Sequence, residues 1–379
     1  MSQPSLDATP TPALVIDGAV FDANIKRMNR QLARLGVPLR PHLKTVKNAE
    51  LARRMLAGHP GGATVSTLAE ADYFHAAGIS DLTYAVGIAP GRLDAVAERL
   101  KAGQTLTLIL DHPDTARAVV DYARSRSIEF RVLIELDADG DRAGLWPDDQ
   151  ALLDTAGILR AGGQGPVGVL VHAGGSYGCR SSAALVAMAE QERRVAVDAA
   201  ERLRAEGHGI EVVSVGSTPT AFFARQLDGV TEVRAGVYSC MDLVMAGLGV
   251  CPIEAIAISV LTEIIGHRPS TGELLIDAGW MALSRDRGTA SQDQDQGYGL
   301  VRDVHGGPIE RDLIVRASNQ EHGIVAARNG APIPLDRFPV GTRLRILPNH
   351  ACATAGQFDR FVLIDDEDLT GLERCRGWF

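Results

Sequence analysis

Hydrophobic residues follow two periods along the chain. Up to about Gly249, short aliphatic and β-branched runs alternate with stretches whose apolar positions recur every three to four residues. These are the signatures of strands and of amphipathic helices. The first run, Ala13–Asp17 (ALVID), leads into a helical pattern reaching Leu35. Eight further strands are predicted at 39–44, 63–67, 82–86, 106–111, 129–137, 166–174, 211–217 and 231–238. Helical patterns lie between nearly every pair, LAEADYFHAAG and GRLDAVAERLKAG among them. Such alternation implies a parallel sheet, and eight units predict an α/β fold closed as a (β/α)8 TIM barrel. A doubly wound open sheet is the alternative architecture.

Beyond Gly249 the helical period fades. AIAISVLTEIIG, ELLIDAG, DLIVRAS, RLRILPN and FVLID read as strands separated by turns. The expected organisation is a barrel over 18–249 and a C-terminal β-domain over 250–379, which residues 1–17 join through the ALVID strand.

Composition narrows the function classes. The 379 residues carry 38 basic and 47 acidic side chains, a formal net charge of −9, with 5% aromatics. A negative chain poor in aromatics suits neither nucleic acid nor an anionic membrane as partner. No apolar run reaches membrane-spanning length, and the opening MSQPSLDATPTPALVID lacks the basic start and apolar core of a secretory signal. Five scattered cysteines, Cys179, Cys240, Cys251, Cys352 and Cys375, fit a reducing compartment better than a disulfide framework, so a cytoplasmic location is expected. Lysine is scarce, occurring only at 26, 44, 47 and 101. A chain that charges its surface with arginine keeps lysine where an amine is needed, and only an amine forms a Schiff base.

Lys44 closes the first predicted barrel strand in RPHLKTVK, and strand C-termini face a barrel's active site. Strand alternation puts His42 and Lys44 on one face, where desolvation activates an amine. A solvated lysine at a strand end is the equal alternative. SVGSTPT follows the seventh strand and opens a helix. There Gly216, Ser217 and Thr218 are candidate phosphate ligands, unless they form only an N-cap followed by proline. Gly236 and Tyr238, after the eighth strand, are placed to complete the cup, and a buried structural tyrosine is the competing role for Tyr238. His172 in VHAGGSYG ends the sixth strand, where glycines let a flat ligand approach the backbone. Its imidazole is a candidate to pack on a cofactor ring with Tyr177 bonded to it, and both are otherwise satisfied core or rim residues. Arg142 in DADGDRAG is a candidate partner for the cofactor's phenolate oxygen, or a solvated arginine.

In the β-domain, PNHACAT sets His350 and Cys352 two apart, on one face if the segment is extended. Imidazole with thiolate suits zinc, and two protein ligands leave positions for water and substrate. A simply buried cysteine is the alternative.

The motifs RPHLKTVK, TVSTLAEADYFHAAGI, VHAGGSY, SVGSTPT, EVRAGVY, IDAGWMALSRDRG, SNQEHG and LPNHACAT occur in order over nearly the whole chain. Together they resemble the D-serine dehydratase and D-threonine aldolase family, whose fold is that of alanine racemase. The resemblance implies a barrel binding pyridoxal 5'-phosphate (PLP) on Lys44 and a divalent metal (Zn, Mn, Mg or Co) on His350 and Cys352. It also implies a homodimer and a small-molecule D-3-hydroxy amino acid substrate, D-threo-3-hydroxyaspartate or D-serine. The activity it implies is a lyase that eliminates water to give a 2-oxo acid and ammonia. A retro-aldol cleavage to glycine and an aldehyde is the nearest alternative, and a non-catalytic PLP carrier is one of another class. One departure is Trp280, where relatives commonly carry a smaller or polar residue. A substrate with a second carboxylate needs a cation, for which Arg142, Arg285, Arg287 and His322 are candidates.

Overall fold

The computed structural model describes residues 6–59, 61–140, 142–366 and 368–379. By contact the chain forms two compact units. One is Arg27–Gly236 with Cys375–Phe379, the other Met1–Lys26 with Val237–Arg374. Residues 1–5, which carry the start of the signal-peptide reading and of the expected β-domain segment, lie outside the described residues.

In the first unit all eight predicted strands form, shorter than predicted. They are Leu39–Pro41, Ala63–Val65, Asp81–Gly87, Thr105–Leu110, Arg131–Leu136, Gly168–Val171, Val212–Val215 and Glu232–Ala235. All pair in parallel. Leu39–Pro41 lies beside Glu232–Ala235, and a single bridge from His42 to Thr64 joins the two end strands. The ring is thus nearly closed, and the open doubly wound sheet is excluded. Ile109, Leu133 and Leu170 from consecutive strands pack as an apolar layer inside it. Charge shares the interior. Arg40 bonds Glu232 at 2.7 Å and Asp81 at 3.0 Å, Ser214 Oγ donates to Glu232 at 2.6 Å, and buried Arg234 donates to Ser214 Oγ at 2.5 Å and to the Val171 carbonyl at 2.6 Å. Each ion in this network has a partner, as burial of charge demands.

The second unit is antiparallel apart from one pairing. Ile258–Arg268, Glu273–Ile276, Gly323–Ala327, Leu313–Ser318, Leu300–Asp303 and Arg343–Leu347 follow one another round a closed ring. Ala13–Asp17 continues the sheet from Ile258–Arg268 and pairs in parallel with Arg360–Asp365, which pairs in turn with Asp368–Glu373. The ALVID strand therefore does join the β-unit.

The units divide at other positions than 17/18 and 249/250. Asn24 Nδ2 donates to the carbonyls of Ser239 and Ala255, and the amides of Leu243 and Val244 bond the carbonyls of Pro348 and Asn349. These bonds draw the first turns of the helix Gly18–Leu35 and the stretch after Gly236 into the β-unit. The Cys375 amide bonds the Lys47 carbonyl at 2.7 Å, so the last residues belong with the barrel. Among the described residues no helix is long and apolar enough to cross a membrane.

Candidate active site

After Pro41 the chain leaves the ladder. The Leu43 amide still bonds the Thr64 carbonyl at 2.9 Å, but the Lys47 amide turns back to the Leu43 carbonyl at 2.9 Å. Lys44 therefore stands in a turn beyond the strand, and the expectation that strand alternation buries it beside His42 is corrected. Its side chain is exposed, and its amine makes no hydrogen bond or ion pair among the described residues. The neighbouring Lys47 is committed to the fully buried carboxylate of Glu70 at 2.9 Å. Of the two lysines in the motif, Lys44 is the one left free to react.

Two imidazoles stand near it. His172 Nδ1 lies 2.9 Å from the Gly216 carbonyl. A carbonyl only accepts, so Nδ1 carries the proton and Nε2 keeps a lone pair. Burial pushes the pKa of His172 down to about 3, assisted by the charges of Arg142, Lys44 and Arg234 against the bond to Gly216. Burial, then the charges of Lys44, Arg234, His172 and Lys47, hold His42 well below its ordinary value. Both rings are neutral at physiological pH, in a field set by Lys44, Arg142 and Arg234. Such surroundings suit an anionic ligand with a flat ring. The Tyr177 ring lies 6.4 Å from that of His172, tilted by 40°, and is largely exposed.

Arg142 is exposed on a loop that carboxylates shape. Asp137 Oδ1 accepts from the amides of Asp139 and Gly140, Asp111 Oδ2 from that of Gly144, and Asp139 Oδ2 from that of Gly175. Glu135 was not foreseen. It lies near the end of its strand, with its carboxyl raised to about 7 by burial and by the charge of Asp111, against Arg142 and Arg234. A charged residue in the barrel strand RVLIEL was the signal.

The SVGSTPT turn is both a cap and a cradle. Ser217 caps Thr218–Phe223 with a reciprocal box to Thr220, and its hydroxyl lies 3.0 Å from Thr220 Oγ1 and 3.1 Å from Ser176 Oγ. Its amide and hydroxyl are both engaged within the protein, so the N-cap alternative holds for this side chain. The buried Thr218 hydroxyl, by contrast, has no hydrogen-bond partner among the described residues. Gly216 has φ +134°, and a Cβ there would lie 2.1 Å from the Arg234 carbonyl, so glycine alone fits. At Gly236 a Cβ would stand 3.1 Å from His42. In the β-unit, Tyr238 is fully buried with its hydroxyl likewise unpartnered. In the barrel unit, the orphaned buried hydroxyl of Thr218 is what a chain shaped around an anionic group would keep, and with a free amine and neutral imidazoles it fits PLP.

His350 and Cys352 are brought together by a route other than expected. Residues Ala351–Ala355 form a short helix with His350 at its N-cap, so the segment is not extended. The amide of Ala351 is satisfied by Asp242 Oδ2 at 2.9 Å, which lets the chain coil there. The two side chains nonetheless meet. Burial lowers the pKa of His350, but hydrogen bonds to Asp286 and Cys352 and the charges of Cys352 and Asp242 outweigh it and raise it to about 11. Asp286 Oδ2 lies 2.8 Å from His350 Nδ1 and is held low by that bond. The Asp286 contact leaves His350 Nε2 to ligate, the usual arrangement around a metal-bound imidazole. Sequence reasoning placed Asp286 in a motif without giving it this role. Imidazole plus thiolate, with Nδ1 anchored, fits a divalent ion with open positions. No group of three or more His, Cys, Asp and Glu side chains converges among the described residues.

Comparison with known proteins places the chain by family and fold. Residues 16–243 match the family described as alanine racemase, N-terminal domain, and residues 257–364 the putative serine dehydratase domain. The chain is 49% identical over 380 residues to D-threo-3-hydroxyaspartate dehydratase of Delftia sp. (strain HT23), covering 99% of this chain and 100% of that one. It is 30% identical over 378 residues to D-serine dehydratase of Dictyostelium discoideum, covering 94% of each. The solved structure of the Delftia enzyme superposes with a TM-score of 0.97 at 48% identity, over 99% of this chain and 100% of that one. A cysteine-to-alanine mutant of a D-threo-3-hydroxyaspartate dehydratase, described as in the metal-free form, superposes with the same TM-score of 0.97 at 48% identity.

Proposed function

The chain belongs to the family of serine dehydratase-like enzymes built on the alanine racemase fold, and from that premise we propose that it is a lyase dehydrating a D-3-hydroxy amino acid. D-threo-3-hydroxyaspartate is the proposed substrate, with D-serine the simpler one, and the products are a 2-oxo acid and ammonia. Identity over the full length to the Delftia enzyme supports this choice. The observation that carries it is the His350–Cys352 pair keyed by Asp286. A racemase moves only protons, whereas a leaving hydroxide calls for a Lewis acid.

Lys44 is the proposed cofactor lysine and the base that removes the α-proton. PLP held there would supply an electron sink at the substrate's α-carbon. Gly216, Ser217, Thr218, Gly236 and Tyr238 are proposed to hold the phosphate, Thr218 and Tyr238 through the hydroxyls left unpartnered. For Ser217 this requires its hydroxyl to share its bond to Thr220. His172, neutral and fixed through Nδ1, would pack on the cofactor ring, with Tyr177 beside it. Arg142, on its carboxylate-shaped loop, would face the phenolate oxygen. His350 and Cys352 would hold a divalent ion, zinc favoured by the thiolate, and it would supply a Lewis acid for the β-hydroxyl. Because one amine serves one face of a bound substrate, a single α-hydrogen configuration is reached, and the resemblance gives that as D. A homodimer is part of the same reading, supported by the family resemblance.

The test is product analysis on the PLP- and metal-loaded protein with D-threo-3-hydroxyaspartate, D-serine and D-threonine. Ammonia with a 2-oxo acid is the expected outcome, and glycine with an aldehyde would replace the dehydratase by an aldolase.

A further inference from the structure

We infer that Arg285, braced on the Trp280 ring, is the cation that receives the second carboxylate of the substrate. The inference rests on the dehydratase reading above and names the residue that sets its preference for an acidic substrate. In a 3-hydroxyaspartate the departing hydroxyl and the second carboxylate are attached to the same carbon. Whatever side chain takes that carboxylate must therefore lie beside the metal ligands and not beside the amine. Arg142, on the barrel unit, is already assigned to the cofactor ring.

Three motifs that are distant in sequence meet in the β-unit. The amides of Trp280 and Met281 bond the carbonyls of Asn319 and Gln320 at 2.9 and 3.1 Å. Thr354 Oγ1 donates to the Leu283 carbonyl at 2.9 Å, and Asn349 Nδ2 to the Asp286 carbonyl at 3.1 Å. Arg285 is thus clamped on both sides to the segment that carries His350 and Cys352, and its next neighbour, Asp286, is the residue bonded to His350. Ser284, just before it, has φ +69°. A non-glycine residue held in that region persists where its surroundings over-determine it, and such positions cluster at functional sites.

The other candidates are spent or poorly shaped. Arg287 is paired with Asp295 at 2.6 Å and lies over the Tyr298 ring. His322 offers single ring donors where a carboxylate is best met by a planar fork. Arg285 is exposed, makes no ion pair among the described residues, and has its Cζ 4.2 Å from the centre of the Trp280 ring. Stacking fixes the plane of the guanidinium while leaving its N–H edge free. A cation with a fixed plane, no counter-ion and a backbone tied to the metal ligands is suited to bidentate capture of a carboxylate.

The test separates binding from turnover by using D-aspartate and D-alanine, which carry no hydroxyl to eliminate. Calorimetric titration of the PLP-loaded protein, with and without metal, gives both affinities. Arg285→Gln is expected to weaken D-aspartate binding by about 10- to 100-fold, as for loss of a charged hydrogen-bonded pair, and D-alanine binding by less than twofold. Arg285→Lys should fall between, and Trp280→Ala should cost D-aspartate about three- to fivefold. The ratio of kcat/KM for D-threo-3-hydroxyaspartate over D-serine should fall with the D-aspartate affinity. Equal effects on both ligands, or none on D-aspartate, would overturn the assignment. So would a D-aspartate preference that vanishes on chelation yet survives Arg285→Gln, since the metal would then hold the carboxylate. If the wild-type protein dehydrates neither hydroxy amino acid, the functional reading fails while the two titrations still decide the role of Arg285.

Discussion

The barrel and the β-unit prepare their sites in opposite ways. At the barrel mouth the charged work is left to a ligand. The imidazoles of His42 and His172 are kept neutral by burial and nearby cations, and among the described residues the Lys44 amine has no partner and the Thr218 hydroxyl is unsatisfied. In the β-unit the protein supplies the negative charge. Asp286, Asp242 and Cys352 drive His350 toward the charged state, so that a proton holds the place a divalent cation would take. One site is electron-poor and fits an anion; the other is electron-rich and fits a cation.

The widest separation between the sites comes from removing the amine. Lys44→Ala is expected to abolish the visible absorbance of lysine-bound PLP and to lower kcat by about 1,000-fold or more, in line with loss of a base acting in the transition state. Metal content, read by elemental analysis, should not change. Asp286→Asn should do the reverse. The visible absorbance stays, while metal affinity drops by about 10- to 100-fold, the usual consequence of losing the partner of a ligating histidine. Unaltered metal affinity would remove Asp286 from its orienting role. Gly216→Ala attacks the scaffold of the anion site. A Cβ at φ +134° and 2.1 Å from a carbonyl forces the turn to move, so unfolding free energy should fall by about 1–3 kcal/mol. PLP affinity should weaken with it, and an unchanged denaturation midpoint would contradict the geometry.

Much of this could be seen in the sequence, and the gaps have physical causes. All eight barrel strands were legible because a buried parallel strand is a short apolar run between helices. Their ends were not. Sequence extends Leu39–Pro41 to Lys44, but the Lys47 amide turns back to Leu43, a bond no periodicity announces. In the β-unit, Leu300–Asp303, Gly323–Ala327 and Asp368–Glu373 were missed. The first two are short, one preceded by Gly299 and the other opening on Gly323, and the third, DLTGLE, has only Leu369 and Leu372 apolar. His350 and Cys352 were found as a pair for a geometric reason that does not hold, since the segment coils. The pair meets because His350 is an N-cap with Cys352 in the first turn after it. Asp286, 64 positions away, was beyond any local pattern, and Glu135 was hidden because a carboxylate in a barrel strand resembles surface alternation until the strand is known to line the interior.

The smallest effect concerns pH and isolates the neutral imidazole. His172 has a native pKa of about 3 against an ordinary 6.5. As pH falls below 6.5 the unfolded chain takes up a proton there that the native protein refuses until about pH 3. The stability tied to neutral His172 is therefore complete above pH 6.5 and is lost progressively as pH drops toward 3. Raised carboxyls such as Glu135 act in the opposite sense between 4.5 and 7, because the native state binds their proton first. The total profile mixes the two, and only a difference isolates His172. Subtracting the urea-unfolding profile of His172→Gln from that of the wild type between pH 7.5 and 4.5 should leave a wild-type deficit that grows as pH falls. Its slope is at most about 1.4 kcal/mol per pH unit, less for the partial exposure of the ring. A flat difference would mean that His172 titrates normally, and the contrast between an anion-ready barrel and a cation-ready β-unit would then rest on Lys44, Arg142 and Arg234 alone.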